Sequence, residues 1–420
     1  MITLERLSAV DGLRYGLLGL PLAFVALPLY VILPNYYARE FGMPLATLGG
    51  LLLAARRFDA FTDPWIGRLN DRLFARSVRS VLVLGAAAAA LLAAGFTLLF
   101  FPPARDPSAL LACAGGALVL TYAGYSALSV GHQSWGARLG GDEAQRSRIV
   151  AWREGLGLTG VLLASLLSVS LGLLVTTGVL YVALIAGWLA WTRSRRPAAS
   201  TGETAAFSVW KPLAQPAFRS LLAVFLLNGI ASAIPATLVL FFVQDRLQAP
   251  VAAQPLFLGS YFLCAALSMP LWLLAVRRIG LARSWLCGMA LAMAVFVWAS
   301  VLGAGALAAF VVVCVLSGVA LGADLALPGA LLAGLIADAG HRGSGDGAYF
   351  GWWSFATKLN LALAAGLALP LLQLAGYSPG ERGEPALQAL VIAYCLLPCA
   401  LKLAAAATLY FTMIRPRSSR

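Results

Sequence analysis

Charged residues are scarce in this sequence: Asp, Glu, Lys and Arg together make up 11% of its 420 residues, while 61% are hydrophobic. Soluble globular domains carry about a quarter charged residues and about half apolar ones, so the composition excludes an ordinary soluble protein. The apolar runs reach the roughly 20 residues that a helix needs to cross a bilayer, and they lack the alternating pattern of a membrane barrel. The composition therefore predicts an all-α integral membrane protein.

Three further absences narrow the function. No phosphate-binding loop of the Walker type occurs, so ATP is not expected to be the driving force. All six cysteines lie inside apolar runs without a neighbouring histidine, which favours packing over metal binding. Residues 1–15 lack the short apolar core and small-residue cleavage site of a secretory signal, so we expect the first span to be retained.

Twelve membrane-spanning helices are predicted from the apolar runs. They cover approximately 16–34, 45–66, 80–101, 109–131, 150–170, 172–192, 219–243, 255–275, 284–303, 305–336, 347–374 and 386–412. The tenth and eleventh exceed the thickness of a membrane, so we expect them to tilt, bend or protrude.

The net charge is +13, and the positions of the basic residues indicate membrane topology rather than nucleic-acid binding. Loops on one predicted side contain only Arg39, Arg105, Arg246 and Arg382, whereas the termini and the remaining loops contain most of the 30 Lys and Arg residues. By the positive-inside rule, both termini are predicted to be cytoplasmic and the number of spans even. We expect a multi-pass protein of the bacterial inner (plasma) membrane, with lipid rather than nucleic acid as its surroundings.

A polar segment at 193–218 divides the chain into two six-helix bundles, 1–192 and 219–420. The two halves resemble one another, because Pro64 and Pro270 each lie near the end of the second helix of a half and precede a basic turn. Parallel repeats of this kind are typical of the major facilitator fold, which has its substrate site near mid-membrane.

The second predicted span contains an unusual group of polar residues. Asp59 and Asp63 are four residues apart on one helix face, with Thr62 and Arg56 each three residues from Asp59. Ionisable residues inside a span are costly and commonly functional. Two carboxylates one turn apart repel unless a cation compensates them, so the pattern indicates a site for H⁺ or Na⁺.

A structural alternative stays open for the same residues. Arg56 would neutralise Asp59 within the helix, and Asp63 would join a cytoplasmic charge network with Asp71 and Arg72. In that case no cation would bind.

Two motifs give the sequence a resemblance to a known family. Gly67-Arg68-Leu69-Asn70-Asp71-Arg72 resembles the signature loop of the major facilitator superfamily. We expect Arg56, Gly67, Asp71 and Arg72 to form a charge network that gates access. The pattern Arg-x-x-Asp-Ala-x-x-Asp-Pro-x-x-Gly from Arg56 to Gly67 resembles the glycoside-pentoside-hexuronide:cation symporters. Weaker matches continue through the fourth, fifth, tenth and eleventh spans.

The resemblance implies roles for further residues. The coupling cation would be held by Asp59, Thr62, Asp63 and Ser126, with no other cofactor. Arg153 and Lys358 match basic positions that line the substrate cavity, while Ser129 and a position near Ala23 replace the family's two sugar-binding carboxylates. The alternatives are a rim position for Arg153 and a salt bridge without substrate contact for Lys358.

Other polar and aromatic residues within spans are candidates for the substrate site. Asp324 has no family counterpart; it would pair with Lys358, handle a proton or substrate, or lie near the lipid interface. Trp353, with Trp352 and Tyr349, would form an aromatic wall of the cavity or an interfacial anchor.

We interpret the chain as a secondary active transporter, functional as a monomer, that couples Na⁺ or H⁺ entry to movement of a small, sugar-like solute. An alternative is transport or export of an amphipathic, lipid-like or drug-like molecule. A remote alternative is a membrane-embedded prenyl transferase, which the Asp59 and Asp63 spacing would permit but which needs a second acidic cluster. We therefore expect a transporter and not an enzyme.

Overall fold

A computed structural model describes residues 7–197, 207–377, 380 and 382–415, and every element in these ranges is helical. The first half contains helices α1 (Ala9–Gly16), α2 (Gly19–Phe24), α3 (Leu33–Glu40), α4 (Leu45–Arg76), α5 (Val78–Phe100), α6 (Pro107–Leu139), α7 (Glu143–Ser170) and α8 (Gly172–Thr192). The second contains α9 (Lys211–Ala214), α10 (Pro216–Phe241), α11 (Gln254–Ile279), α12 (Leu281–Ala299), α13 (Leu307–Asp338), α14 (Asp346–Leu374), α15 (Glu384–Val391) and α16 (Leu397–Leu409). π-Helical turns occupy Pro28–Ile32, Phe242–Arg246, Ile392–Leu396 and Tyr410–Ile414, and Val251–Ala253 forms a 3₁₀ turn.

The predicted spans and the observed helices agree in class but differ in detail. Within the described residues, nine helices are long and apolar enough to cross a membrane, so the count of twelve stays a prediction. The predicted span 16–34 is interrupted between α1, α2, the π turn and α3, because Pro28 and Pro34 cannot donate a backbone hydrogen bond. The predicted span 45–66 is part of a longer helix, α4, which continues to Arg76.

Several helix starts are fixed by side-chain caps. Asp106 accepts a hydrogen bond from the Ala109 amide at the start of α6, and Asp142 accepts one from Gln145 at the start of α7. Ser77 caps α5 in the same way, through the Ser80 amide. Each cap satisfies a donor that the helix itself leaves free, so these short polar residues set where the helices begin.

The chain forms two compact units. Unit 1 comprises Met1–Pro212 and Ala333–Phe355, and unit 2 comprises Leu213–Leu332 and Ala356–Arg420. Both α13 and α14 therefore contribute residues to each unit. The central part of the predicted linker, 198–206, lies outside the described residues, and the proposed bundle boundaries stay a prediction.

Glycines allow α5 and α6 of unit 1 to approach closely. A methyl group on Gly124 would lie 2.6 Å from the Ala88 carbonyl oxygen, and one on Gly95 would lie 2.7 Å from the Thr121 nitrogen. Small residues permit this backbone contact between membrane helices, where packing rather than hydrophobic burial drives association. The contact holds α6, and with it Ser126, in a defined position.

Candidate functional site

The two acids of α4 are both buried in unit 1. Asp59 has 4% and Asp63 0% of its surface exposed. The Ser126 hydroxyl of α6 donates a 2.8 Å hydrogen bond to Asp59 Oδ1. Thr62 directs its hydroxyl hydrogen to the Asp59 carbonyl oxygen at 2.9 Å, leaving the lone pairs of its oxygen available. The structure thus brings Ser126 of α6 to the Asp59 carboxylate, while Thr62 and Asp63 share the helix α4 with Asp59.

Tyr125 connects this acidic pair to α7. Its side chain lies within electrostatic range of Asp59, Asp63, Arg153 and Glu154. Arg56 lies near Asp59 as well, since both act on the Tyr122 hydroxyl, so the three carboxylates are accompanied by two guanidinium groups. Charged groups held away from water cost free energy unless opposite charges balance them. Binding of a proton or a small cation would lower that cost.

Arg153 is held by the adjacent Glu154. The Glu154 Oε1 atom accepts hydrogen bonds from Arg153 Nε at 2.9 Å and Nη2 at 2.5 Å. The Arg153 side chain, with 13% of its surface exposed, also interacts with the Tyr15 hydroxyl. Sequence reasoning missed Glu154, although an acid directly after a predicted site arginine was a usable signal.

Ser129 lies one turn after Ser126 on α6 and accepts a 2.9 Å hydrogen bond from Gln133. His132 is fully buried, and its Nε2 atom is 2.7 Å from the Tyr15 carbonyl oxygen, while the Tyr15 hydroxyl donates to the His132 carbonyl oxygen at 3.0 Å. This reciprocal contact packs α1 against α6 through His132.

A second charged cluster surrounds Asp71, near the end of α4. Asp71 accepts hydrogen bonds from the amides of Gly347 at 2.7 Å and Ala348 at 2.9 Å, in the first turn of α14. Arg138 donates to it at 2.9 Å and lies 3.2 Å from a carboxylate oxygen of Asp346. We define these five residues as the α4–α14 cluster.

Arg72 and Arg56, the two basic residues predicted for the gating network, do not belong to the α4–α14 cluster. Arg72 is exposed, and the guanidinium in the cluster belongs to Arg138. Arg56 is also exposed and interacts with the Tyr122 hydroxyl, about four helical turns from Asp71. Gly67 is next to the cluster, because its backbone meets that of Gly347.

The contact at Gly67 leads to a prediction. A methyl group on Gly67 would lie 2.0 Å from the Gly347 carbonyl oxygen, so Gly67→Val must separate α4 from the start of α14. Hydrogen exchange of the Gly347 and Ala348 amides, measured by mass spectrometry, should accelerate by about tenfold or more, as expected when buried packing is lost. Gly49→Val is the matched control on the same helix, since a methyl group there meets nothing within 4 Å. Equal protection in both variants would rule out the contact.

The α4–α14 cluster should respond to pH near neutrality. Asp71 lies beyond the predicted second span, and burial raises its pKa to about 7, although Arg138 and the two amides oppose the shift. Burial also raises the pKa of Asp346. Because the folded protein then holds the Asp71 proton more tightly than the unfolded chain, this group favours folding below about pH 4 and that benefit is lost as pH rises through 7.

The contribution of Asp71 to the pH dependence of stability can be measured by recording the melting temperature at several pH values between 5 and 8. We expect the temperature to fall more steeply with pH in the wild-type protein than in Asp71→Asn, which has no carboxyl group to titrate. Parallel curves for the two proteins would contradict the assigned titration.

Asp324 has a different partner from the one predicted. In unit 2, Lys402 of α16 donates to Asp324 Oδ2 at 2.9 Å, and Trp285 donates to Oδ1 at 2.9 Å. Lys402 also donates to Asn228 at 2.7 Å and to Ser232 at 3.0 Å. The predicted pair with Lys358 is therefore wrong, because the carboxylate is occupied by Lys402 and Trp285.

Lys358 and Trp353 lie in different parts of α14. Trp353 is buried in the segment that belongs to unit 1, whereas Lys358 is half-buried in unit 2. Of the other predicted aromatic residues, Trp352 donates to the Val209 carbonyl oxygen at 2.8 Å, and Tyr349 is 2.9 Å from His341 Nδ1. These contacts use Trp352 and Tyr349 for packing within unit 1.

Among the described residues, no group of three or more His, Cys, Asp or Glu side chains is placed to hold a metal ion, and the six cysteines are free thiols. Asp59 and Asp63 supply carboxylate oxygens, which suit a proton or an alkali cation better than a transition metal.

Comparison with known proteins identifies the family. A model of the MFS/sugar transport protein family matches residues 14–415. Two curated relatives match over shorter regions: YjmB of Bacillus subtilis (strain 168), named an uncharacterized symporter, is 26% identical over 166 residues. YagG of Escherichia coli (strain K12), whose name describes a glycoside/cation symporter, is 27% identical over 164 residues. These matches cover 38% and 39% of this chain, and the chain spans about a third (35%) of the length of each relative.

Solved structures establish the fold. A bacterial homologue of the iron transporter ferroportin, in an outward-facing state, superposes with a TM-score of 0.73 at 17% identity, over 98% of this chain and 100% of that one. The Escherichia coli fucose:proton symporter gives 0.69 at 14% identity, over 96% and 98%. The human organic anion transporter MFSD10 gives 0.63 at 18% identity, over 97% and 100%.

The all-helical structure, its apolar spans and these matches agree. They describe a multi-pass membrane transporter and not an enzyme such as a prenyl transferase. The chain belongs to the MFS/sugar transport protein family of the major facilitator superfamily.

Proposed function

We propose that this transporter couples the downhill entry of Na⁺ or H⁺ to the uptake of a small glycoside-like solute. The observation that carries the proposal is the pair of buried carboxylates on α4, with Ser126 of α6 donating to Asp59. The name of one relative, which describes a glycoside/cation symporter, agrees with a glycoside and a cation. The proposal also places both termini in the cytoplasm of a bacterial inner membrane, with the monomer as the working unit.

In the proposed cycle, the empty site carries excess negative charge, which opposes closure of an apolar protein interior around it. A bound cation neutralises the pair, so that the loaded protein closes around cation and solute together. Reopening to the other side of the membrane releases both. Thr62 and Ser126 would supply neutral oxygen ligands, which allows Na⁺ as well as H⁺.

The proposed substrate groups are Ser129, Arg153, Trp353, Lys358 and Asp324. Arg153 and Lys358 would bind hydroxyl or anionic oxygens of the solute, and Trp353 would pack against its ring. In the proposed role of Asp324, the acid acts on the solute through its pair with Lys402 rather than as a free carboxylate. Gly67 and Asp71, with Arg138 and Asp346, would hold one side of the transporter closed.

A second candidate substrate is an amphipathic, less hydroxylated molecule. Ser129 favours it, because a single hydroxyl already engaged by Gln133 offers fewer hydrogen bonds to a sugar than a carboxylate would. The same experiment decides between the two candidates.

The test is uptake into proteoliposomes of purified protein. An imposed Na⁺ or H⁺ gradient should concentrate a radiolabelled glycoside such as methyl glucoside, and an ionophore that dissipates the gradient should abolish the accumulation. Accumulation of a long-chain alkyl glycoside or an acyl lipid, without accumulation of methyl glucoside, would favour the amphipathic substrate. Equal uptake with and without either gradient would reject cation coupling.

A further inference from the structure

Unit 2 contains a cavity of about 160 Å³, and Asp324, one of the proposed substrate groups, lies in its wall. It is lined by residues of α10, α11, α12 and α13, together with Tyr394 and Lys402. Apolar cavities of about 150 Å³ bind a benzene-sized molecule, so this volume corresponds to one six-membered ring.

Most of the cavity wall is aromatic or aliphatic. Phe257, Phe262 and Phe296 line it, and the Phe296 ring centroid lies 5.6 Å from that of Tyr394. Tyr394 is fixed in turn by stacking on Phe242 at 4.3 Å. A preformed wall of this kind favours a flat apolar ring as the bound group.

One part of the cavity wall contains two charged residues whose charges cancel. Asp324 and Lys402 both line the cavity and form an ion pair at 2.9 Å. The Lys402 ammonium group donates its three hydrogens to Asp324, Asn228 and Ser232. Because the charges of the pair cancel, a charged ligand would lose its hydration without gaining an opposite charge as a partner. An uncharged ligand avoids this desolvation cost.

Two tyrosine hydroxyls give the cavity hydrogen-bonding capacity. Tyr261 and Tyr394 both line it, and Tyr394 is 96% buried, with 4% of its surface exposed. Within the described ranges of the chain, neither hydroxyl has a hydrogen-bond partner. A hydroxyl that lines a cavity can hydrogen-bond to a polar atom of a bound molecule, so these two suit a ligand with a polar atom at that end.

We propose that this cavity is a binding site for one uncharged, ring-sized group that carries a hydroxyl, of which phenol is the simplest example. The ring packs among the phenylalanines, and its hydroxyl bonds to Tyr261 or Tyr394. This site is separate from the cation site of α4 and does not depend on cation coupling.

The test is equilibrium dialysis of the detergent-purified full chain against radiolabelled phenol, with protein-free micelles as the blank. One saturable site per chain is expected. Ala292→Phe fills the cavity and should abolish saturable binding, while Ala290→Phe, at an exposed position on the same helix, should leave it unchanged. Non-saturable uptake equal to the micelle blank, or equal binding by both variants, would overturn the proposal.

A second pair of variants separates the hydroxyl contact from ring packing. Tyr261→Phe combined with Tyr394→Phe should weaken phenol binding about three- to tenfold, the value of one hydrogen bond, and leave benzene binding unchanged. Unchanged phenol affinity in this double variant would overturn the assigned hydroxyl contact. These variants keep the side-chain volume, so they carry the test if Ala292→Phe does not fold.

Discussion

Asp59→Asn is expected to reduce gradient-driven accumulation of the solute by about 100-fold or more, the equivalent of about 3 kcal/mol, while leaving solute exchange measurable. An amide is neutral and cannot exchange a charge with the medium, so the carrier no longer needs a cation in order to close. Exchange survives because it requires only that the loaded carrier reopens to either side. The measurement compares concentrative uptake and counterflow in the same proteoliposomes.

Asp106→Asn is the matched control for this substitution. Asp106 caps α6 at an exposed position, and asparagine caps helices about as well as aspartate. We expect its uptake to equal that of the wild type. Full concentrative uptake by Asp59→Asn would contradict a role for Asp59 in coupling.

Lys402→Met is expected to lower the stability of unit 2 strongly. It leaves the Asp324 carboxylate largely buried without its cation, and breaking a buried ion pair in this way costs about 3–5 kcal/mol. The double variant Lys402→Met with Asp324→Asn removes both charges and should recover most of the loss. The measurement is the melting temperature of the purified protein in detergent.

Arg219→Met provides the control, since this basic residue is exposed on α10 and its loss should change stability by about 0.5 kcal/mol or less. If the single and double variants at Lys402 and Asp324 lose equal stability, the two residues do not act as a pair.

Apolar runs of the sequence predicted the helices well where no proline interrupts the run. The apolar run 172–192 coincides with α8, Gly172–Thr192, because composition alone decides such a helix. The run 16–34 does not form one helix, because Pro28 and Pro34 interrupt it and their effect depends on the packing of the neighbouring turns.

Contacts within one helix were also predictable, whereas contacts between helices were not. The grouping of Asp59, Thr62 and Asp63 follows from spacing on α4, and the contact with Ser126 was implied only by family resemblance. The partner of Asp324 was assigned to the wrong lysine. Lys402 follows a π-helical turn, Ile392–Leu396, which adds a residue to the helical repeat and so changes which face the lysine occupies.

The α4–α14 cluster illustrates the same limit. Asp71 was identified from its motif, but its guanidinium partner is 67 positions away at Arg138 rather than adjacent at Arg72. Helix packing alone determines which of several arginines reaches a carboxylate. Sequence spacing therefore locates the acids of this protein better than it locates their partners.

Calorimetric titration of the purified protein with Na⁺ at fixed pH, repeated in two buffers of different ionisation enthalpy, tests the central claim most directly. The account predicts saturable Na⁺ binding, or proton exchange revealed by the difference between buffers, that is lost in both Asp59→Asn and Asp63→Asn. Wild-type protein that neither binds Na⁺ nor exchanges protons, or binding that survives unchanged in both variants, would contradict it.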